Sequence, residues 1–456
     1  INDAKALSLF SKFINFTTLS NFHTMTTKYE QISSSLFIKN RKKFVEKMQP
    51  NSLAIFNSND IYPISSDSTM PFAQHRDIFY LSGVDQEESI LLIFPDAYNE
   101  EHREILFLRE TNEHIAVWEG EKLTKEKATE VSGVKTVLWL SDFDRIFYNL
   151  MNEAENIYLN RNEHYRAVLE VQTREDRFIE RVKREFPLHK ILRSNPILQH
   201  LRSIKEPEEI ELLQKACNIT EKGVRRLLSF VKPGVWEYEI EAELMHEFLR
   251  NRSKGFAYTP IIASGENANV LHYIANNMQC KDGDVILLDV GAEYANYSSD
   301  LTRMIPVNGK FTARQKEIYN AVLDMKNFAT SLLVPGNNWY DYHKECGEFY
   351  TSKFLELGLL DKADVQNQDK NWPAYKKYMM HGTSHHLGLD THDYGILKDK
   401  FVENMVFTVE PGIYLPAEGF GVRIEDDLVI QNSGPAFNLM KNIPIEVEEI
   451  EELMNS

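Results

Sequence analysis

Cysteine is scarce: Cys217, Cys280 and Cys346 are the three in 456 residues. So few thiols, so far apart, exclude a disulfide framework and a cysteine-based zinc site. They suit a reducing, cytoplasmic setting. Positive charge is also in deficit, with 51 Lys and Arg against 68 Asp and Glu, a formal net charge of −17. That balance argues against nucleic acid and against an anionic membrane surface as partners, since both call for a basic face. No apolar run approaches the roughly 18 residues of a membrane-spanning helix. Core-forming residues are not lacking. A composition of 43% hydrophobic and 11% aromatic residues excludes disorder throughout, and the length suits two to three domains.

Residues 1–24, beginning Ile1-Asn2-Asp3, mix Ser, Thr, Asn and Phe without a continuous apolar stretch or a small-residue cleavage site. They read as a poorly ordered or non-native extension ahead of Met25, not as a secretory signal. Residues 25–196 read as an α/β domain. A basic helix over Gln31 to Met48 carries Lys39, Arg41, Lys42 and Lys43, and a solvated charged face is expected for it. Strand-like runs follow at Leu53–Phe56, Ile90–Phe94, Ile105–Leu108, Thr136–Leu140 and around Tyr158 and Leu159. Helical patterns between them favour a mixed or parallel sheet. No metal or nucleophile motif falls here, so packing or assembly is the expected role.

A boundary is expected near residues 195–206, where Asn195-Pro196 breaks the chain and Pro207-Glu208-Glu209 opens a strong helix. Ile210, Leu213, Cys217, Val224, Leu227 and Leu228 form its buried stripe. Residues 197–456 contain an internal repeat. The turn Val231-Lys232-Pro233-Gly234 between two helical stretches recurs as Val334-Pro335-Gly336, and Thr312 to Gln315 forms a capping-box pattern before the second pair. Each half then carries a histidine and two acidic strands. His272, Asp289 and Asp300 in the first half recur as His385, Glu410 and Glu425, at offsets of 113, 121 and 125. A duplicated αβ unit would bring one acidic hairpin from each half to a shared centre.

The acidic positions carry the chemistry. Val285-Ile286-Leu287-Leu288-Asp289-Val290-Gly291 is an apolar strand containing one carboxylate, which needs a cationic partner when buried. Asp300 follows eleven residues later, enough for a hairpin to return it beside Asp289. Glu410 stands at a strand end in Val406–Gly412. In Gly421 to Leu428, Arg423, Glu425 and Asp427 share one face by strand alternation. Four converging carboxylates repel unless neutralised. Two divalent cations would balance them and make a bridging hydroxide accessible near neutral pH. His381, His385, His386 and His392 fall within twelve positions beside glycines. Histidine there can ligate, orient substrate or stabilise developing charge. Oxygen-rich ligation with one imidazole suits manganese best, with iron(II), cobalt or zinc as alternatives.

Together these stretches are specific. They are Ser264-Gly265-Glu266-Asn267 with Leu271-His272, Leu288-Asp289-Val290-Gly291, Ser299-Asp300-Leu301-Thr302-Arg303, His381-Gly382-Thr383-Ser384-His385, Val409-Glu410-Pro411-Gly412-Ile413-Tyr414 and Arg423-Ile424-Glu425-Asp426-Asp427. Through them, and through Asp77 to Gly83 in the first domain, residues Met25–Ile450 resemble the bacterial Xaa-Pro aminopeptidases (aminopeptidase P) of the pita-bread metallopeptidases. The resemblance implies a pita-bread catalytic domain after the N-terminal α/β domain. It implies Asp289, Asp300, His385, Glu410 and Glu425 as ligands of two metal ions, with Asp300 and Glu425 bridging both. His272, His381, His392 and Arg423 would line the substrate pocket. His386 stands where relatives vary, often with an aromatic, and residues 1–24 have no counterpart.

The activity so implied is removal of the N-terminal residue from peptides with proline second. His392 would stabilise the oxyanion, Glu410 would shuttle the proton to the leaving nitrogen, and His381 would assist in the same pocket. Relatives assemble as homodimers or homotetramers. Prolidase, the dipeptide-specific relative, is the alternative. The short connection Leu415-Pro416-Ala417-Glu418-Gly419-Phe420 looks more like the aminopeptidase. A non-catalytic pita-bread binding protein or a creatinase-like hydrolase would lack the five-ligand set.

Overall fold

The structure is a computed structural model that describes residues 27–168 and 170–456, so the extension expected over residues 1–24 lies outside the described residues. A six-stranded sheet occupies the first part of the chain. Its strands are β1 (Ser52–Asn57), β2 (Ile90–Ile93), β3 (Glu104–Leu108), β4 (Thr136–Trp139), β5 (Asn156–Leu159) and β6 (Lys190–Arg193), in the order β4-β3-β2-β1-β5-β6. β2 runs antiparallel to β1 and β3, and the remaining pairs are parallel, so the sheet is mixed. β1 is buried on both faces, which is why it reads as a continuous apolar run. Its alternate residues feed two cores. Leu53 and Ile55 pack with Phe107 and Phe147, while Ala54 and Phe56 join a core continuous with the second half of the chain.

The basic helix is Ser34–Val45, and its charged face is only partly solvated, with Lys42 exposed and Arg41 buried. Arg41 is 1% exposed and donates to Glu104 and to the carbonyls of Leu81 and Ser132. Lys39 and Lys43 both reach Glu206 across the junction between the halves. Residues four apart share a helix face, and both ammonium groups on this one reach an acidic helix start. Asn195-Pro196 does not break the chain either. Pro196 sits in the first turn of a helix over Asn195–Ser203, where its missing N–H costs nothing. Arg202 in that helix lies 2.9 Å from Asp77, 2.7 Å from Asp390 and 2.6 Å from Asp393, with Lys205 3.0 Å from Asp393.

The second half is built twice. Helices Pro207–Phe230 and Glu237–Arg250 are matched by Ala313–Ser331 and Trp339–Glu356. Both helix pairs turn through a glycine in the left-handed region, Gly234 (φ +96°) and Gly336 (φ +91°). Each of these glycines donates at 2.9 Å to a carbonyl later in its own half, that of Cys280 or Phe401. The Thr312 capping box is complete, with Gln315 N–H donating to Thr312 and the Gln315 side chain accepting from Thr312 N–H.

Each helix pair backs an acidic hairpin. In the first unit β7 (Ile261–Ser264) and β8 (Val285–Val290) are joined by β11 (Leu301–Pro306), after a small hairpin of β9 (Glu293–Tyr294) and β10 (Tyr297–Ser298). In the second, β12 (Val406–Val409) is followed by the tight hairpin of β13 (Gly412–Leu415) and β14 (Phe420–Arg423), then β15 (Asp426–Val429) and β16 (Phe437–Asn438). β8 pairs antiparallel with β11, and β12 with β15. Thr302 bridges to Glu425, so the two hairpins meet at their acidic ends. Among the described residues no helix is long and apolar enough to cross a membrane.

Candidate metal centre

Where the hairpins meet, a cavity of about 500 Å³ opens, and all nine residues singled out in the sequence line it. Asp289 lies near the end of β8, opposite Thr302, and Asp300 immediately precedes β11. The two carboxylates come together because Gly291 lets the chain close on itself. A Cβ there would sit 1.8 Å from the Ser299 carbonyl oxygen. Glu410 follows the last residue of β12, and Glu425 lies between β14 and β15. The expected alternation holds. Arg423 reaches Asp289, Glu425 accepts from Thr302 Oγ1 at 2.7 Å, and Asp427 accepts from the Asp300 N–H at 3.0 Å. Asp426 points away, to Arg303 and Lys326.

Ligand atoms of Asp300, His385 and Glu425 lie within 4.8 Å of one another. His385 Nε2 is 3.4 Å from Asp300 Oδ2 and 3.7 Å from Glu410 Oε1. Its Nδ1 is 3.0 Å from the His386 carbonyl, which can only accept, so Nδ1 holds a proton and Nε2 is the atom that faces the carboxylate oxygens. That contact is stable only with a positive charge shared between them, a proton or a metal ion. Burial and mutual repulsion raise the Glu425 carboxyl well above its usual range and push Glu410 up to about 7. Burial raises Asp289 as well, against the pull of Arg423. For His385, burial opposes the charged ring, but Asp300 and Glu410 outweigh it and raise its pKa. Burial makes these groups costly to leave charged and unpaired, and divalent cations would compensate them, so four carboxylates and one imidazole nitrogen fit a metal site.

The other histidines separate by position. His381 donates from Nδ1 to the Gly382 carbonyl and accepts on Nε2 from the Tyr414 hydroxyl at 2.7 Å. Burial and Arg423 push its pKa down to about 3. Tyr414 in turn accepts from Arg423 at 2.7 Å, so a hydrogen-bonded chain runs from His381 to Asp289. The His392 ring lies 4.2 Å from that of His385 and is held neutral, its pKa pushed to about 2 by burial and the facing cations. His272 stands exposed at the mouth of the cavity. His386 turns away from the cavity into an aromatic wedge with Trp339 and Phe407.

Three contributors, Tyr258, Thr302 and Tyr414, carry no sequence signal of their own. The Tyr258 hydroxyl lies 2.7 Å from Asp289 Oδ1 and 2.6 Å from Asp300 Oδ1, tying the pair. Thr302, Tyr414 and Asp427 orient Glu425, His381 and Asp300. Thr302 and Tyr414 fall inside the motifs, but nothing in their spacing distinguishes them from core residues, whereas strand alternation placed Asp427 on the acidic face.

The chain matches two family models, the aminopeptidase P N-terminal domain over residues 37–158 and metallopeptidase family M24 over residues 211–432. It is 34% identical over 437 residues to the Xaa-Pro aminopeptidase of Escherichia coli strain K12, covering 93% of this chain and 98% of that one. The chain belongs to the Xaa-Pro aminopeptidase family. The Haemophilus influenzae Xaa-Pro aminopeptidase is 36% identical over 431 residues, covering 92% and 97% of the two chains. Among solved structures, E. coli aminopeptidase P in complex with substrate superposes with a TM-score of 0.82 at 33% identity, covering 93% of this chain and 99% of that one. The zinc-substituted E. coli enzyme in complex with product gives the same values. The Xaa-Pro aminopeptidase family is one of pita-bread metallopeptidases, so this chain is a metal-dependent hydrolase and its two facing αβ units are the pita-bread fold.

Proposed function

We propose that this protein removes the N-terminal residue from peptides whose second residue is proline, using two divalent metal ions held by Asp289, Asp300, His385, Glu410 and Glu425. Manganese is the preferred ion. The observation that carries the reading is His385 Nε2 facing the oxygens of Asp300 and Glu410 in a cluster of four carboxylates that its single buried guanidinium cannot neutralise. When bound, the ions polarise the scissile carbonyl and supply hydroxide from water at neutral pH.

The chain's own groups do the rest. The substrate's ammonium is drawn to the acidic ligands. His392, neutral and beside His385, donates its single N–H to the oxygen on which charge develops. Glu410 carries a proton to the leaving proline nitrogen, which bears none of its own in the substrate. His381 and His272 border the position of the proline ring. Arg423 acts through Asp289 and, by way of Tyr414, through His381.

Residues 25–196 and 197–456 are the two domains in this reading. The first serves assembly into a homodimer or homotetramer. A cytoplasmic location accords with three buried, free cysteines.

Hydrolysis of Arg-Pro-Pro and Gly-Pro peptides, with manganese restored after chelation, tests the proposal. Replacing the second-position proline by alanine is expected to lower kcat/KM roughly 30-fold to 200-fold. Equal cleavage of the alanine peptide, or full activity without metal, overturns it. A preference for the Xaa-Pro dipeptide over the tripeptide makes the protein a prolidase.

A further inference from the structure

Every residue lining the cavity comes from position 258 onward, except Arg166. Arg166 lies on the connection from β5 to the helix Arg174–Glu185, in the first part of the chain, and reaches across to the second. Its Nη1 is 2.9 Å from Nε2 and 3.2 Å from Nδ1 of His392, and its Nε donates to the Tyr165 hydroxyl at 3.1 Å. Arg423, the other guanidinium of the cavity, is 3% exposed and bonded to Asp289, Tyr414 and Thr302. Arg166 is exposed and, among the described residues, forms no ion pair with a carboxylate. Its nearest polar partner is an imidazole already held neutral. An arginine presents a rigid fork of five donors suited to bidentate binding of a carboxylate. Here that fork stands at one side of a cavity whose other charges are mostly negative.

We propose that Arg166 is a specificity-determining residue that takes the free C-terminal carboxylate of a short peptide, one or two residues beyond the scissile bond. This rests on the peptidase reading above, in which His392 marks the scissile carbonyl. Arg166 Nη1 lies one hydrogen bond beyond His392, and each extended residue spans about 3.3–3.6 Å. The substrate's two charged ends then meet opposite charges at opposite sides of the cavity, the ammonium at the acidic cluster and the carboxylate at Arg166. A long or C-terminally blocked peptide presents no carboxylate there. The contact between Arg166 and His392 closes the site in the free protein and opens when a better acceptor arrives, since a charge-assisted pair is stronger than a bond to a neutral ring.

The test compares Arg-Pro-Leu with Arg-Pro-Leu-amide on the manganese-loaded enzyme, wild type and Arg166→Gln. Wild type is expected to favour the free acid roughly tenfold to a hundredfold in kcat/KM, mostly through KM. In Arg166→Gln that ratio is expected to fall to about 1. A second readout needs no turnover: calorimetric binding of Pro-Leu against Pro-Leu-amide should show the same preference and the same loss. An acid-to-amide ratio near 1 in wild type overturns the inference. So does a ratio left unchanged in Arg166→Gln, or a variant that loses both peptides equally, which would make Arg166 a positioning residue for His392. Failure of wild type to cleave either peptide overturns the peptidase reading, and this inference with it.

Discussion

Arg202→Met tests whether the junction between the halves is held by buried charge. Arg202 is 2% exposed and touches Asp77, Asp390 and Asp393, and its guanidinium lies 4.5 Å from the centre of the Tyr394 ring. Methionine fills much of the same volume and removes the charge. Asp390 is half exposed and can be hydrated, and Asp393 keeps Lys205. Asp77 is fully buried and keeps only the Asn160 amide at 3.0 Å and His75 at 3.8 Å. One stranded buried carboxylate costs about 3–5 kcal/mol, a fall in melting temperature of roughly 10 °C for a domain of this size. Thermal unfolding at pH 7 reads it directly. Adding Asp77→Asn should recover more than half of the loss, because Asp393 keeps Lys205 and no buried charge then lacks a partner. The pH dependence should shift as well. Burial disfavours the Asp393 carboxylate, but Arg202 and Lys205 outweigh it and hold its pKa at about 2 against an ordinary 3.8. That stability is present above pH 3.8 and lost as pH falls towards 2. Without Arg202 the folded pKa rises towards the ordinary value, so less stability should be lost between pH 3.8 and 2 than in wild type. A melting temperature within 2 °C of wild type would refute the reasoning.

Asp300→Ala should abolish activity and lower metal content, since it removes a carboxylate shared by the whole cluster; two metals per chain with a near-normal rate would sink its role. His392→Ala should keep its metal but slow turnover by about 10²–10³, the range for losing one transition-state donor. If elemental analysis finds metal falling in step with rate, His392 is a ligand instead. Glu175 is buried against Asn57 and its carboxyl is pushed up to about 8 from 4.5. The fold therefore holds a proton there, and stability present below pH 4.5 is lost as pH rises to 8, at most about 3 kcal/mol by pH 7. Glu175→Gln should flatten the fall in melting temperature between pH 5 and 8, and an unchanged slope would contradict the assignment.

The candidate site was unusually legible. A carboxylate in an apolar strand is costly without a cation, so Asp289 and Glu410 stood out from their neighbours, and strand alternation put Arg423, Glu425 and Asp427 on one face. The duplicated order of turn, histidine and acid then implied a shared centre. Arg41 misled because charge at helical spacing reads as solvation, whereas here the guanidinium plugs carbonyls of two other segments. Pro196 misled because proline ends a helix and begins one with equal ease. Tyr258, Thr302 and Arg166 were silent, since a hydroxyl or an exposed arginine has no periodicity that marks a site.

Local pattern alone determined the strands, the duplicated αβ units and the chemistry of the cluster, because burial and alternation act within a few residues of each acid. Only the tertiary structure decided which groups serve those acids. Tyr258 joins Asp289 to Asp300, Arg423 reaches Asp289 from 134 positions away, and Arg166 meets His392 across 226. Such contacts depend on how separate sheets come to rest against each other in one continuous core, and that is a property of the packed core rather than of any segment.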